Sequence, residues 1–442
     1  MGRFAVRPLD REIFRLAIPA LGALVAEPLF LLTDTALVGH LGAVPLAALG
    51  IAGVILQTAV GLLVFLAYAT TPAVARRLGS GDLPGAIRAG IDGLWLAIAV
   101  GVVLVGGGLA GGGALVRLFG APADVAEAAT TYLLISVWGL PAMLVVLAAT
   151  GLLRGLQDTR TPLVVAVLGF VANALLNTLF IYGFGWGIAG SAVGTVVAQW
   201  GMATVYLVIA VRAARANGTT LRPGLSGVAG AASSGLWLLL RTASLRVALL
   251  GTVVVATGLG VTELATLQIA LTLFSAIAFA LDALAIAGQA MIGHALGAAD
   301  VPRVVAVTRR LILFGVVGGV GLGAVLALVA PLLGGVFTGD ADIRSALTPV
   351  VIVMALGIPV AGYVFVLDGV LIGAGDARYL AITGIVNLAV YVPLLAVATS
   401  AGGIVALWTA FGFGYIGARA VTLGLRARGT AWIVTGAERT AR

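Results

Sequence analysis

The chain has 442 residues, of which 61% are hydrophobic and only 10% charged, with a formal net charge of +8. Soluble domains keep about a quarter of their residues charged, so this composition excludes a soluble fold and predicts an integral membrane protein. Cysteine is absent, which removes disulfides and thiolate metal sites. All 25 basic residues are Arg, scattered over loops rather than gathered with aromatic residues, so nucleic acid is not expected as a partner.

In chain order, Met1-Gly2-Arg3-Phe4 does not read as a cleavable signal. Arg3, Arg7, Arg11 and Arg15 instead lead straight into an apolar run as an uncleaved anchor. Apolar runs bounded by Gly, Pro or Arg then predict twelve bilayer-spanning helices rather than barrel strands. The first six cover 13–38, 46–74, 90–115, 125–152, 162–183 and 187–211. The second six cover 236–259, 264–292, 308–333, 343–371, 380–399 and 402–425. The expected organisation is an amino-terminal lobe over 1–211, a polar cytoplasmic linker over 212–235, a carboxy-terminal lobe over 236–425 and a disordered cytoplasmic tail over 426–442. All but two arginines fall at the termini, in the even-to-odd loops or at their helix ends. The exceptions are Arg117 and Arg344. By the positive-inside rule both termini are cytoplasmic, in a multi-pass protein of the cell membrane.

The two halves repeat. Gly42, Leu46, Gly79, Asp82, Pro84, Phe119, Gly139, Pro141, Gly155, Asp158 and Arg160 recur at a constant offset of 218 (82 to 300, 158 to 376). They become Gly260, Leu264, Gly297, Asp300, Pro302, Phe337, Gly357, Pro359, Gly373, Asp376 and Arg378. With six helices per half, both halves enter from the same side and form parallel repeats, an architecture used by secondary transporters.

Polar residues inside the spans carry the functional expectation, because an ionised Asp at mid-helix costs roughly 2.5–3.5 kcal/mol on insertion scales. Glu27 and Asp34 lie seven residues apart on the first helix, nearly two turns and so roughly one face. At the offset of 218 they meet Leu245 and Thr252, so the fold does not require them. Asn173 and Asn177 share a face of the fifth helix and can offer oxygen ligands or hydrogen bonds to Asp34. Thr195 and Tyr68 are further candidates. In the second half Asp282, Gln289 and Asp368 can form a second protonatable or substrate-cation site. Alternatively, the acids can bond an arginine such as Arg241 in a static cytoplasmic latch. Pro19, Pro141 and Pro359 fall within spans, where each removes a backbone hydrogen bond and offers a bend or hinge. No Walker A, H-E-x-x-H or G-x-S-x-G motif is present, so an enzyme is not expected.

The run from Glu27-Pro28-Leu29 through Asp34-Thr35-Ala36-Leu37-Val38-Gly39-His40-Leu41-Gly42 resembles the first helix of the MATE (multidrug and toxic compound extrusion) antiporters, in the DinF-like branch. Leu281-Asp282 through Gln289-Ala290, Leu367-Asp368 through Gly375-Asp376, and Leu153-Arg154-Gly155-Leu156-Gln157-Asp158-Thr159 with Pro162 are similarly placed. The resemblance covers essentially the whole chain. It implies an all-α membrane protein of two six-helix lobes that exchanges cytoplasmic organic compounds for external H⁺ or Na⁺. Asp34 matches the helix 1 acid to which this branch's cation coupling is attributed, and Asn173 and Thr195 match polar positions of the same site. Asn177 departs from the pattern, since some relatives carry Asp there. The reading is therefore an alternating-access exporter of small amphipathic or cationic compounds, expected as a monomer without cofactor. Its coupling ion is H⁺, with Na⁺ near Asp34, Asn173 and Asn177 as the alternative. A lipid-linked saccharide flippase is the rival.

Overall fold

The computed structural model describes residues 8–438, so Arg3, Arg7, Arg439 and Arg442 of the orientation argument lie outside the described residues. Twelve helices long and apolar enough to cross a bilayer are present, and no strand occurs among the described residues. We label them α1 (Pro8–Gly39), α2 (Ala43–Gly79), α3 (Leu83–Arg117), α4 (Ala123–Gly155), α5 (Arg160–Gly183) and α6 (Gly187–Ala216). The second half supplies α7 (Leu225–Leu259), α8 (Val261–Gly297), α9 (Val301–Phe337), α10 (Ala341–Gly373), α11 (Ala377–Ala401) and α12 (Gly403–Arg428). Each expected span is found, and most run several residues further than hydropathy alone indicates.

The repeat explains why the helices start and cross where they do. Asp82 accepts from the Gly85 amide and Asp300 from the Arg303 amide, so both α3 and α9 begin with an Asp cap and a Pro in the first turn. The turns before α2 and α8 pass through Gly42 (φ 119°) and Gly260 (φ 145°), backbone angles that favour glycine. At the α3–α4 crossing a Cβ on Gly101 would stand 2.6 Å from the Pro141 Cα. At the α9–α10 crossing a Cβ on Gly319 would stand 2.8 Å from the Pro359 Cα. Gly101 and Gly319 are also related by the offset of 218, so with Pro141 and Pro359 they form two copies of one close helix crossing. Around these prolines the helices differ. A 3₁₀ turn at Val137–Gly139 precedes Pro141, whereas α1 and α10 continue through Pro19 and Pro359 without interruption.

Two compact units result, one of Gly22–Gly235 and the other of Met1–Leu21 with Leu236–Arg442. The first boundary corrects the expected lobe over 1–211, because it falls inside α1. Ion pairs fix the inner part of α1 to α9: Asp10 with Arg310 at 2.5 Å and Glu12 with Arg303 at 2.7 Å. Phe14 adds a ring contact to Phe314, with centroids 5.0 Å apart. The expected linker over 212–235 is also corrected, since α6 runs to Ala216 and α7 starts at Leu225. The short connection is held on α3, where Arg88 donates to the Thr220 carbonyl, Trp95 Nε1 donates to the Leu221 carbonyl and Asp92 accepts from the Gly224 amide. The tail is not disordered through Glu438. Trp432 is 2% exposed, and the Gly436 amide donates to the Leu296 carbonyl at the end of α8. One large apolar ring supplies the burial that charge and glycine content concealed.

Candidate functional site

Within the Gly22–Gly235 unit, Asp34 of α1 is 3% exposed and receives hydrogen bonds from three other helices. Asn177 Nδ2 on α5 donates to Oδ1 at 2.8 Å, Ser191 Oγ on α6 donates to Oδ1 at 2.7 Å, and the Tyr132 hydroxyl on α4 donates to Oδ2 at 3.4 Å. Asn177 Nδ2 also reaches Asn173 Oδ1 at 3.3 Å, and Asn173 Nδ2 donates to Thr195 Oγ1 at 3.0 Å. Asp34, Asn173, Asn177 and Thr195 therefore form one connected polar core in otherwise apolar helices. Its shape has a local cause. The asparagines sit one turn apart on α5, just before a π-turn at Leu179–Gly183 whose Tyr182 hydroxyl donates to the Leu37 carbonyl of α1 at 2.6 Å. Turns of this type recur at functional sites.

No arginine pairs with Asp34 among the described residues. Neutral donors stabilise the carboxylate by about 1.5–3 kcal/mol each, yet the hydroxyls of Tyr132 and Ser191 can also accept from a carboxylic acid. The carboxyl group can thus be satisfied with or without a proton. Asn177 Oδ1 and Ser136 Oγ, both buried, have no hydrogen-bond partner. Asp34, Asn173 and Asn177 offer the oxygen atoms a hard cation would need. Among the described residues, however, no three His, Cys, Asp or Glu side chains gather around one point. Sequence reasoning missed Tyr132 and Ser191, whose residue types are ordinary in membrane helices. Only the packing of α4 and α6 on α1 singles them out.

Glu27 does not join this core. It shares a face with Asp34 by helical phase but lies about 10 Å away along α1 and is exposed. Tyr68 is part-buried on α2. The repeat provides an internal comparison: the counterparts of Asp34 and Asn173 are Thr252 and Tyr391, whose hydroxyls stand 2.7 Å apart. Aromatic rings fill the space beside them, with Tyr391, Phe411 and Tyr415 in mutual contact. The fold is built in the second half without a buried acid at this level.

The acids of the second half have other surroundings. Asp368 on α10, 6% exposed, bonds Arg241 of α7 and Arg419 of α12, the latter at 3.1 Å. This is the arginine latch rather than an open acid. Asp282 is part-buried on α8, and Gln289 is buried on the same helix with its Oε1 lacking a partner.

Twelve spans, two copies of one six-helix plan and a buried carboxyl core in only one copy define a multi-pass membrane transporter of the all-α, two-repeat class. The family model described as MatE matches residues 19–179 and 243–397, one segment in each half. The chain belongs to the MatE family, whose members are secondary transporters and not enzymes. It is 30% identical over 417 residues to the protein DETOXIFICATION 44, chloroplastic, of Arabidopsis thaliana, covering 91% of this chain and 79% of that one. It is 28% identical over 201 residues to DNA damage-inducible protein F of Escherichia coli, covering 43% and 42%. Its fold is similar to that of the Vibrio cholerae MATE transporter VcmN in the bent form. That match has a TM-score of 0.87 at 21% identity and covers 95% of this chain and 97% of the other.

Proposed function

We propose that the chain is a proton-coupled antiporter that exports small amphipathic or cationic organic compounds by alternating access, with Asp34 carrying the proton. One observation bears most of this reading: Asp34 is buried, bonded only by neutral donors, and free of any cationic partner among the described residues. A carboxyl group in that setting can exchange a proton, whereas Asp368 is bonded to two arginines. The single carboxylate in the core favours H⁺ over Na⁺, since Asn177 contributes only a neutral oxygen. Coupling requires that the proton and the exported compound bind with different affinity to the two states of the carrier. Protonation of Asp34 from outside would turn its acceptor role toward the Ser191 or Tyr132 hydroxyl into a donor role, and the rearranged core would lower affinity for the exported compound. Membership of a family named for extrusion of drugs and toxins supports the substrate class.

The test is efflux of a fluorescent cationic dye from liposomes under an imposed pH gradient. Gradient-driven efflux by the wild-type protein and its loss in Asp34→Asn, with folding retained, is the expected outcome. Efflux driven by a Na⁺ gradient alone would overturn the proton assignment. Equal activity in the variant would overturn the role of Asp34.

A further inference from the structure

Of the buried oxygens in the first half that lack a partner, Ser136 Oγ stands one turn further along α4 than Tyr132. Ser136 is 6% exposed. Its hydroxyl does not even make the bond to the carbonyl four residues back that helical hydroxyls commonly form. Thr130 on the same helix makes that bond, to the Ala126 carbonyl at 2.7 Å. Buried polar groups without partners are few, and each needs a reason.

The surroundings supply one. Residues four apart share a helix face, and the Tyr132 hydroxyl lies within interaction range of both the Ser136 and the Ser191 hydroxyls. Tyr132 is 4% exposed, and its one hydrogen bond among the described residues is the long one to Asp34 Oδ2 at 3.4 Å. Asp34 Oδ1, by contrast, already accepts from Asn177 at 2.8 Å and from Ser191 at 2.7 Å. Oδ2 is therefore the oxygen with room for a proton. The 3₁₀ turn at Val137–Gly139 begins directly after Ser136, a break of the kind that often marks a hinge or local strain.

The second half lacks all of these features. At the offset of 218, Tyr132 and Ser136 meet Val350 and Met354, both buried and apolar. There α10 runs through the matching positions 355–357 without a break. The six-helix plan thus packs without the two hydroxyls, which occur together only beside the buried acid.

We propose that Ser136 is a positioning residue for the coupling acid, accepting a hydrogen bond from the Tyr132 hydroxyl when Asp34 becomes neutral. Its part in transport rests on the proton reading above. With Asp34 ionised, Tyr132 donates to Oδ2 and Ser136 is left without a partner. A proton entering from outside binds Oδ2, and the new Asp34 O–H donates to the Tyr132 oxygen. The Tyr132 O–H turns about its C–O bond and donates to Ser136 Oγ. Only the Asp34 O–H bond forms. Tyr132 keeps its proton, and Asn177 and Ser191 stay on Oδ1. Asp34, Tyr132 and Ser136 are then all bonded, so Ser136 stabilises the neutral state of the core and not the ionised one.

The test replaces protonation by a substitution, so it reads this arrangement whichever ion drives transport. Asp34→Asn places a neutral side chain there, whose Nδ2 can donate to the Tyr132 oxygen as the protonated acid would. The full chain is purified in detergent, and the thermal unfolding midpoint is measured at alkaline pH with Ser136→Ala in both backgrounds. With Asp34 present, Ser136→Ala removes an unpaired hydroxyl and should leave the midpoint unchanged or raise it. With Asp34→Asn, the same change should lower it by roughly 2–4 °C, the scale of one neutral hydrogen bond. Ser136→Thr should keep most of the midpoint in the Asp34→Asn background. Tyr132→Phe added to Asp34→Asn should abolish the cost of Ser136→Ala, because the donor is gone. If Asp34→Asn does not fold, Ser136→Ala is compared with the wild type at acid and alkaline pH, and a cost confined to acid pH is expected. An equal effect of Ser136→Ala in both backgrounds or at both pH values, or a cost that survives Tyr132→Phe, overturns the proposal. Absence of pH-driven efflux with the background dependence intact overturns the proton reading and not this arrangement.

Discussion

Asp34 and Asp368 are both buried carboxylates, and their partners give them opposite chemistry. Three neutral donors surround the first, while two arginines clamp the second. Hydrogen bonds to a charged group contribute about 1.5–3 kcal/mol, so the Ser191 bond to Asp34 should be visible in stability. Ser191→Ala is expected to destabilise the protein by about 1–3 kcal/mol, and the double variant with Asp34→Asn should cost less than the two single changes added. Additive costs, measured by thermal unfolding in detergent, would show that the hydroxyl does not act through Asp34. Asn177→Asp supplies the second carboxylate that the core lacks. Two acids at this spacing with oxygen ligands around them suit a hard monovalent cation. Saturable stabilisation by Na⁺ is expected in the variant and not in the wild type. Asp34, Asn173 and Asn177 were legible in the sequence because strongly polar side chains are rare in apolar spans. Ser191 and Tyr132 were not, since neither type is rare there and their importance depends on which helices pack against α1. Arg241 is foreseeable as a partner of Asp368, whereas Arg419 joins it only through the packing of α12 on α10.

At the scale of elements, the glycines of α9 separate into those that let helices touch and those that face open space. A Cβ on Gly319 would lie 2.8 Å from the Pro359 Cα and 2.9 Å from the Ile358 carbonyl oxygen, both backbone atoms that cannot turn aside. The adjacent Gly318 has no atom within 4 Å of such a Cβ. Gly319→Ala should therefore destabilise by about 1–3 kcal/mol through forced separation of α9 and α10. Gly318→Ala should be neutral or stabilising by up to about 1 kcal/mol from helix propensity. Equal effects in a melting experiment would mean that the crossing is not this tight. Element boundaries were the weak part of the sequence reading. Hydropathy falls where arginines and acids begin, yet α6 and α7 continue as helix into the polar stretch around 212–235. The tail differs from its polar composition for a similar reason: Trp432 is buried and the Gly436 amide is bonded to the Leu296 carbonyl. Trp432→Ala should lower stability by about 3–5 kcal/mol, with the exchange of the Gly436 amide as a local readout.

At the scale of the whole molecule, proton coupling from the outside requires one orientation in the bilayer, and the arginine distribution predicts it. Gradients act on Asp34 only if the ends of α1 and α2 nearest Gly42 face the exterior, the side that the positive-inside rule predicts for them. The chain contains no cysteine, so single-cysteine variants need no altered background. Ala123 and Ala341, exposed at the starts of α4 and α10, stand in the two turns that carry Arg117 and Arg344. Ser80 and Ala298, exposed at the ends of α2 and α8, stand on the opposite side of the bundle by helix count. An impermeant maleimide added to intact cells should label Ala123→Cys and Ala341→Cys, and should reach Ser80→Cys and Ala298→Cys only after permeabilisation. The inverse pattern would place Asp34 near the cytoplasmic face, and an inward pH gradient could then no longer drive export through it. The repeat sharpens the test, because Ser80 and Ala298 are related by the offset of 218, as are Ala123 and Ala341. Both members of each pair must label alike if the two halves cross the bilayer in the same sense, which a parallel duplication of six helices demands.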